Sequence, residues 1–310
     1  MGFSITSNYA GEHAGQYFAA ALKSSKSLDF LTVLENVKFK RNITKVASSG
    51  LITDANCDFT DAGTLTLTER ILTPENLQIN IDLCKADLLA DWQAAQMTAG
   101  AHNSGMSSDF AGFVMSYLAD TIADHVETKI WNDANTGSGE FTGFMHAGNG
   151  HFENDPDIIE ATNSDGSGGT SAGTAFTNDN IDENLEIIVD AIPSSVYTKE
   201  DLYIYMSVSS YRLYLANQAA AGYERLYNMG DGFKPMFNGI KIAVCPGMVD
   251  NKMCAAQQSN LFFGTDLVSD HTEIKMLDMA SLDGSDNIRV VAKFSGGTQH
   301  AVGSDIVRLD

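Results

Sequence analysis

Basic residues are scarce in this chain: 19 Lys and Arg stand against 40 Asp and Glu, a formal net charge of −21 over 310 residues. A balance this acidic argues against a broad surface that grips nucleic acid through its phosphates. Cysteine is scarce too. Cys57, Cys84, Cys245 and Cys254 are unpatterned, so no disulfide scaffold is expected and a reducing cytoplasm is the expected place of synthesis. No apolar run approaches the roughly 18–20 residues of a membrane span. The opening stretch, MGFSITSNYAGEHAGQYF, lacks the basic start and apolar core of a secretory signal. What is present is the make-up of a folded protein, 44% hydrophobic and 19% charged, with length enough for one large domain or two modest ones.

Catalytic signatures are missing as well. There is no G-x-x-x-x-G-K-[ST] loop to cradle phosphate and no G-x-S-x-G elbow. No Ser, Cys or Thr stands beside a plausible base. His146 and His151 lie five apart in a Gly-rich stretch beside Glu153, Asp155 and Asp157. That spacing matches no zinc motif, and solvated loop residues are the simpler reading. The acidic loops at 154–157, 164–169 and 283–287 miss the calcium-loop spacing, and turn chemistry accounts for their Asp-Gly steps. Cys245 and Cys254, nine apart across a Pro-Gly turn, fit cross-strand neighbours in a core as well as they fit ligands, and Cys57 reads as an exposed loop residue. The sequence thus offers no catalytic, cofactor-binding or metal set.

The charge is unevenly placed. Residues 23–45 carry six bases and two acids, whereas residues 86–184 carry 16 acids and the single base Lys129. A basic N-terminal arm therefore precedes an acidic middle, which reads either as two solvated faces or as the arm of one copy meeting the middle of the next.

Residues 1–28 read as a polar arm with a short helix near Gln16–Lys23. Residues 29–85 read as β. Val37, Phe39, Ile43 and Val46 sit among strand formers, and Leu77, Ile79, Ile81 and Leu83 alternate with polar residues. The turn- and Thr-rich run between them predicts a long two-stranded excursion, marginal alone and in need of something to lie on. Ala86–Met97 predicts a short helix. A long helix is predicted over 107–133, with Phe110, Phe113, Val114, Tyr117, Thr121, Ile122, Val126 and Ile130 at three- and four-residue steps. After a Gly-rich stretch with its clearest loop at 163–174, Ile181, Leu185, Ile188, Val189 and Ile192 predict a second helix stopped by Pro193. Then DLYIYMS reads as a buried strand, SSYRLYLANQ as a short helix and FNGIKIAVCPG as a strand entering a turn. MCAAQ, NLFFGTDL, EIKMLD and IRVVAKFSGGTQHAVGSDIV add further strands.

In this order the parts resemble the major capsid proteins of tailed double-stranded DNA phages, with the Hong Kong 97-type fold. TERILTPENLQINIDL (68–83) looks like the strand returning from that family's E-loop. The helix at 107–133 resembles the spine helix, and FTGFMHAG (141–148) the short apolar segment that often follows it. NIDENLEIIVDAIPSSVY (180–197) resembles the second peripheral-domain helix. The series from DLYIYMSVSSYRLYL to IRVVAKFSGGTQHAV resembles the axial domain and the closing strands.

The resemblance implies an α+β fold with an N-terminal arm at 1–28 and an E-loop with its return strand at 29–85. A peripheral domain follows at 86–196, an axial domain at 197–287, and a closing strand and C-terminus at 288–310. It implies a structural protein, not an enzyme and without cofactors, that assembles as hexamers and pentamers into an icosahedral shell around double-stranded DNA. The DNA would be held without sequence-specific contacts, in a virion made in the cytoplasm of a bacterial host, with no membrane involved. The short arm implies a separate scaffolding protein, or none, and a portal is expected. Lys38, Lys40, Arg41 and Arg70 are the candidate inter-subunit contacts. The rival readings are an encapsulin-type nanocompartment shell, an acidic secreted surface protein and a hydrolase with an unrecognised site.

Overall fold

The computed structural model describes residues 25–55, 57, 63–84, 108–161, 175–220, 235–266, 275–282, 284–285 and 287–309. The arm over 1–24, the helices expected near Gln16–Lys23 and Ala86–Met97, and the 163–174 loop lie outside these residues. After a 3-10 turn at Lys26–Phe30 come strands β1 (Thr32–Leu34), β2 (Arg41–Ser49), β3 (Thr64–Leu72) and β4 (Glu75–Cys84). Helix α1 (Ser108–Trp131), β5 (Ile159–Glu160), α2 (Ile181–Ala191), α3 (Ser194–Tyr197), β6 (Leu202–Met206) and α4 (Val208–Ala220) follow. The chain closes with β7 (Met236–Phe237), β8 (Ile240–Val244), β9 (Met253–Gln257), β10 (Leu261–Gly264), β11 (Lys275–Asp278), β12 (Asn287–His300) and β13 (Val307–Leu309).

Two sheets share one long helix. In the five-stranded sheet, β12 pairs antiparallel with β4 over ten residues, from Asn287↔Cys84 to Gly296↔Glu75, and with β11 and β10; β1 lies parallel to β10. The six-stranded sheet runs β5-β13-β9-β6-β8-β7. Its central β6 is buried at every position but the half-buried Tyr203, as its unbroken apolar run predicts for a strand covered on both faces. At the edge, Phe237 turns into Ile240 through Asn238 (φ 46°) and Gly239 (φ 83°), the left-handed pair that a tight Asn-Gly hairpin requires.

Helix α1 has 24 residues, about 36 Å of rod. Its first half lays Val114, Met115 and Leu118 on Met276, Ile288, Val290 and Ala292 of the five-stranded sheet. Its second half lays Ile122, Val126, Ile130 and Trp131 into the larger core, where the Trp131 ring meets Tyr205 of β6 at 5.4 Å. The opposite face of β6, with Leu202, Ile204 and Met206, packs with Ile181, Leu185 and Ile188 of α2. The buried stripe of α1 is rotated from the expected one: Tyr117 and Thr121 face solvent, and Leu118 and Ala119 take their place inward.

Three boundaries differ from expectation. The excursion is confined to β2 and β3, because β1 and β4 are claimed by the five-stranded sheet. NLFFGTDL supplies β10 to that same sheet, while β5 and β13 join the six-stranded one, so segments distant in sequence interlock. Helix α2 shares its core with the six-stranded sheet rather than with the first half of α1. Cys245 and Cys254 are both buried, but β6 lies between β8 and β9, so they are not cross-strand neighbours.

Candidate assembly surfaces

The β2–β3 ribbon has nine paired positions, from Arg41↔Leu72 to Ser49↔Thr64. Paired residues of an antiparallel ladder point to the same side. One side therefore carries Val46 opposite Leu67, with Leu65 and Ile71 in line. These four are 60%, 60%, 59% and 48% exposed. Beyond β2, Leu51 and Ile52 are exposed as well, Ile52 almost fully at 96%. Side chains of this size normally find cover, and a two-stranded ribbon is marginal without it.

The base of the ribbon is tied to its own subunit. Leu72 is fully buried, and a Cβ at Gly264 would lie only 2.6 Å from its Cδ2, so β3 enters the body over a glycine. Arg70 donates through Nε to the Ala301 carbonyl (3.1 Å) and through Nη2 to Asp155 Oδ2 (2.5 Å). The same carboxylate oxygen meets His300 Nε2 at 2.7 Å. Gln299 donates to the Ile71 carbonyl at 3.1 Å. Arg70, a candidate for reaching a neighbour, is thus engaged within its own chain.

Lys38, Lys40 and Arg41 are different. Val37 is buried and its N–H bonds the Thr265 carbonyl at 3.2 Å, which fixes the bend just before them. The three cations then stand exposed beside Phe39, itself 83% exposed, at the foot of the ribbon. Elsewhere α1 turns Tyr117, Asp120 and Asp124 outward, and α2 turns Glu183, Glu186 and Asp190 outward. Among the described residues no ion pair joins the three cations to these acids.

A second tie was missed in the sequence. Glu127, buried in the second half of α1, accepts from Ser25 Oγ (2.5 Å), Ser27 N (2.9 Å), Ser27 Oγ and Gly247 N (3.1 Å). Trp131 Nε1 donates to Ser27 Oγ at 2.7 Å. One carboxylate therefore joins the helix, the segment entering β1 and the turn after β8. Its signal was legible: position 127 falls within the buried stripe, four residues after Ala123 and three before Ile130.

His146 and His151 are not joint ligands. His151 is half-buried against Phe144 (ring centroids 6.2 Å apart) and His300 (6.3 Å). Among the described residues, no three of His, Cys, Asp or Glu gather as a metal set, and no helix is long and apolar enough to cross a membrane.

No protein-family model matches this sequence, and no curated protein matches it. Solved structures do. The chain is similar to the capsid of a native GTA particle, at 13% identity over 100% of this chain and 94% of that one, with a TM-score of 0.57. It is similar to the capsid of the Myoviridae phage XM1 at 12% identity, over 99% and 94% of the two chains, with a TM-score of 0.55. A virus-like particle from Pyrococcus furiosus matches at 11% identity over 97% and 100%, with a TM-score of 0.52. The fold is accordingly a capsid-protein fold. It is α+β, of the Hong Kong 97 type.

Proposed function

We propose that the chain is a major capsid protein whose copies close, as pentamers and hexamers, into an icosahedral shell around double-stranded DNA. One observation carries the reading: a ribbon with an uncovered apolar side projects from a chain with a capsid fold. On this reading the first half of α1 with the five-stranded sheet is the peripheral domain, and the six-stranded sheet with α2 and α4 is the axial domain. Val46, Leu65, Leu67 and Ile71 would be covered by the adjacent subunit. With about half of each side chain to bury, that is worth roughly 1 kcal/mol apiece before the cost of association. Contacts this modest suffice when repeated around closed rings. Lys38, Lys40 and Arg41 would meet outward acids of the neighbour, while Arg70 holds the ribbon's base. The acidic chain suits a wall from which packed DNA can be released. A separate scaffolding protein and a portal are the expected partners.

The test is sedimentation of the purified chain, alone and with the proteins of neighbouring genes, with imaging of any fast fraction. Closed shells, or rings of five and six, are the expected result; a monomer under all these conditions would refute it. Lys38→Glu, Lys40→Glu and Arg41→Glu combined should cut shell yield severalfold while leaving the melting temperature unchanged, and an undiminished yield would remove those residues from the interface. The likeness to a virus-like particle favours a second reading, a non-viral compartment shell. Nucleic acid inside the particles supports the first reading, and an enclosed protein supports the second.

A further inference from the structure

The ribbon's base rests on a cluster of ionisable groups contributed by three separate elements. Arg70 comes from β3, Asp155 from the turn before β5, and His300 from the last position of β12. Asp155 Oδ2 holds both Arg70 Nη2 (2.5 Å) and His300 Nε2 (2.7 Å), while Oδ1 accepts the Asp157 N–H at 3.2 Å. His300 is fully buried. Because Nε2 faces a carboxylate it carries the proton, which leaves Nδ1 a bare lone pair in the neutral ring. That Nδ1 is buried without a partner. The ring is enclosed by Phe152 at 5.6 Å and His151 at 6.3 Å. His151 also faces a cavity of about 230 Å³ that runs under the ribbon's foot, lined by Ile71, Thr73, Glu75, Asn135, Thr142 and Thr298. Among the described residues the charged groups facing the pair are Arg70, Asp155 and, across the cavity, Glu75, while the Asp157 backbone N–H donates to Asp155 and the Thr298 backbone bonds His151; Arg308 of β13 is taken up by Glu153 and Glu160 next door.

We propose that this cluster is a proton-operated latch: it closes the foot of the β2–β3 ribbon when His151 and His300 are neutral, and releases it when they bind protons. A proton on His300 creates an Nδ1–H donor where no acceptor exists. It also sets a second cation against Arg70 across the one carboxylate they share, and a proton on His151 adds a third. Lifting β3 away would let water reach both rings and relieve each conflict.

The direction of titration agrees. Burial pushes His151 down to about 4, with His300 and Arg70 adding to the effect, and burial also lowers His300 against the pull of Asp155. Burial works to raise Asp155, but the His300 hydrogen bond, the Asp157 N–H and Arg70 outweigh it and hold it below its usual value. Asp155 therefore stays charged while the histidines titrate. A histidine whose value is depressed in the closed form stabilises that form fully above its ordinary 6.5, and the stability drains as pH falls toward about 4. For His151 alone, a fall from pH 7 to pH 5 shifts the closed-to-open ratio about twentyfold.

Hydrogen exchange of residues 41–72 in the isolated subunit tests this, corrected for the intrinsic rate at each pH. Wild type should show ribbon opening that rises about tenfold or more from pH 7 to pH 5. His151→Gln with His300→Gln keeps an N–H donor at both sites but cannot titrate, and should give a flat response. Glu75→Gln should respond like wild type. A wild-type ribbon indifferent to pH over this range overturns the latch. So does an acid response that survives in the double variant, or one abolished by Glu75→Gln. Should the double variant not fold, His151→Gln alone must lose most of the response. The experiment needs no assembly, so its failure and failure of the shell reading are separate outcomes.

Discussion

Replacing Glu127 by Gln changes one atom in the buried tie between α1, the segment entering β1 and the turn after β8. Oε2 accepts from Ser25 Oγ and Ser27 N; Oε1 accepts from Ser27 Oγ and Gly247 N. The amide must place its NH2 on one of these sides. A serine hydroxyl can turn and accept, but each side also holds a backbone N–H that cannot. Either orientation therefore sets an NH2 against a buried N–H. Leaving such a donor unpaired costs about 1–3 kcal/mol, and the other bonds lose their charge assistance. The expected loss is roughly 3 kcal/mol, which for a chain of 310 residues lowers the melting temperature by about 5 °C. Calorimetry and urea titration at neutral pH would measure it. Exchange at Ser27–Leu31 should rise first, because that segment loses its anchor. A melting temperature within 1 °C of wild type and unchanged exchange there would refute the account of Glu127 as a tie.

A Cβ at Gly247 would lie 2.1 Å from the Glu127 carbonyl oxygen, backbone that cannot move aside, so Gly247→Ala should cost about 3 kcal/mol or more. Gly264→Ala meets only the tip of Leu72 and should cost less, which paired urea titrations would show. Val46→Ser with Leu65→Ser and Leu67→Ser should leave the isolated subunit's urea midpoint nearly unchanged, since these side chains are exposed, yet lower shell yield at least tenfold by sedimentation. In the native protein Cys57 and Cys84 should be alkylated within minutes. Cys245 and Cys254 should resist until unfolding, because both are buried and burial pushes the Cys245 thiol up.

Local pattern made much of this fold legible. The apolar steps of α1 and α2, the alternation of β4 and the unbroken run of β6 each named an element, and those of α2 and β4 named the inward face as well. What stayed hidden depends on pairing between distant segments. Nothing in NLFFGTDL says that it will lie between β1 and β12, or that Thr32 will sit beside Phe262. Arg70 looked like a cation available to a neighbour, because Asp155 and His300 are 85 and 145 positions removed from their partners in the network. Tyr117 fits a three- and four-residue step as well as Leu118 does, and only the position of β12 decides which turns inward. The exposed cations Lys38, Lys40 and Arg41 are a different case, since among the described residues no ion pair holds them.

The ten-residue ladder between β4 and β12 also has a mechanical meaning. Only Thr73 and Pro74 separate the ribbon from β4, so tension on the ribbon arrives at the first residue of that strand. A pull directed along β4 loads all the rungs from Glu75 to Cys84 together, in shear, instead of opening them one by one. A container swollen by its contents would stretch its joints in this way. If the ribbon rests on a neighbour, as proposed, the strand that carries it there is also the one whose hydrogen bonds would share that load.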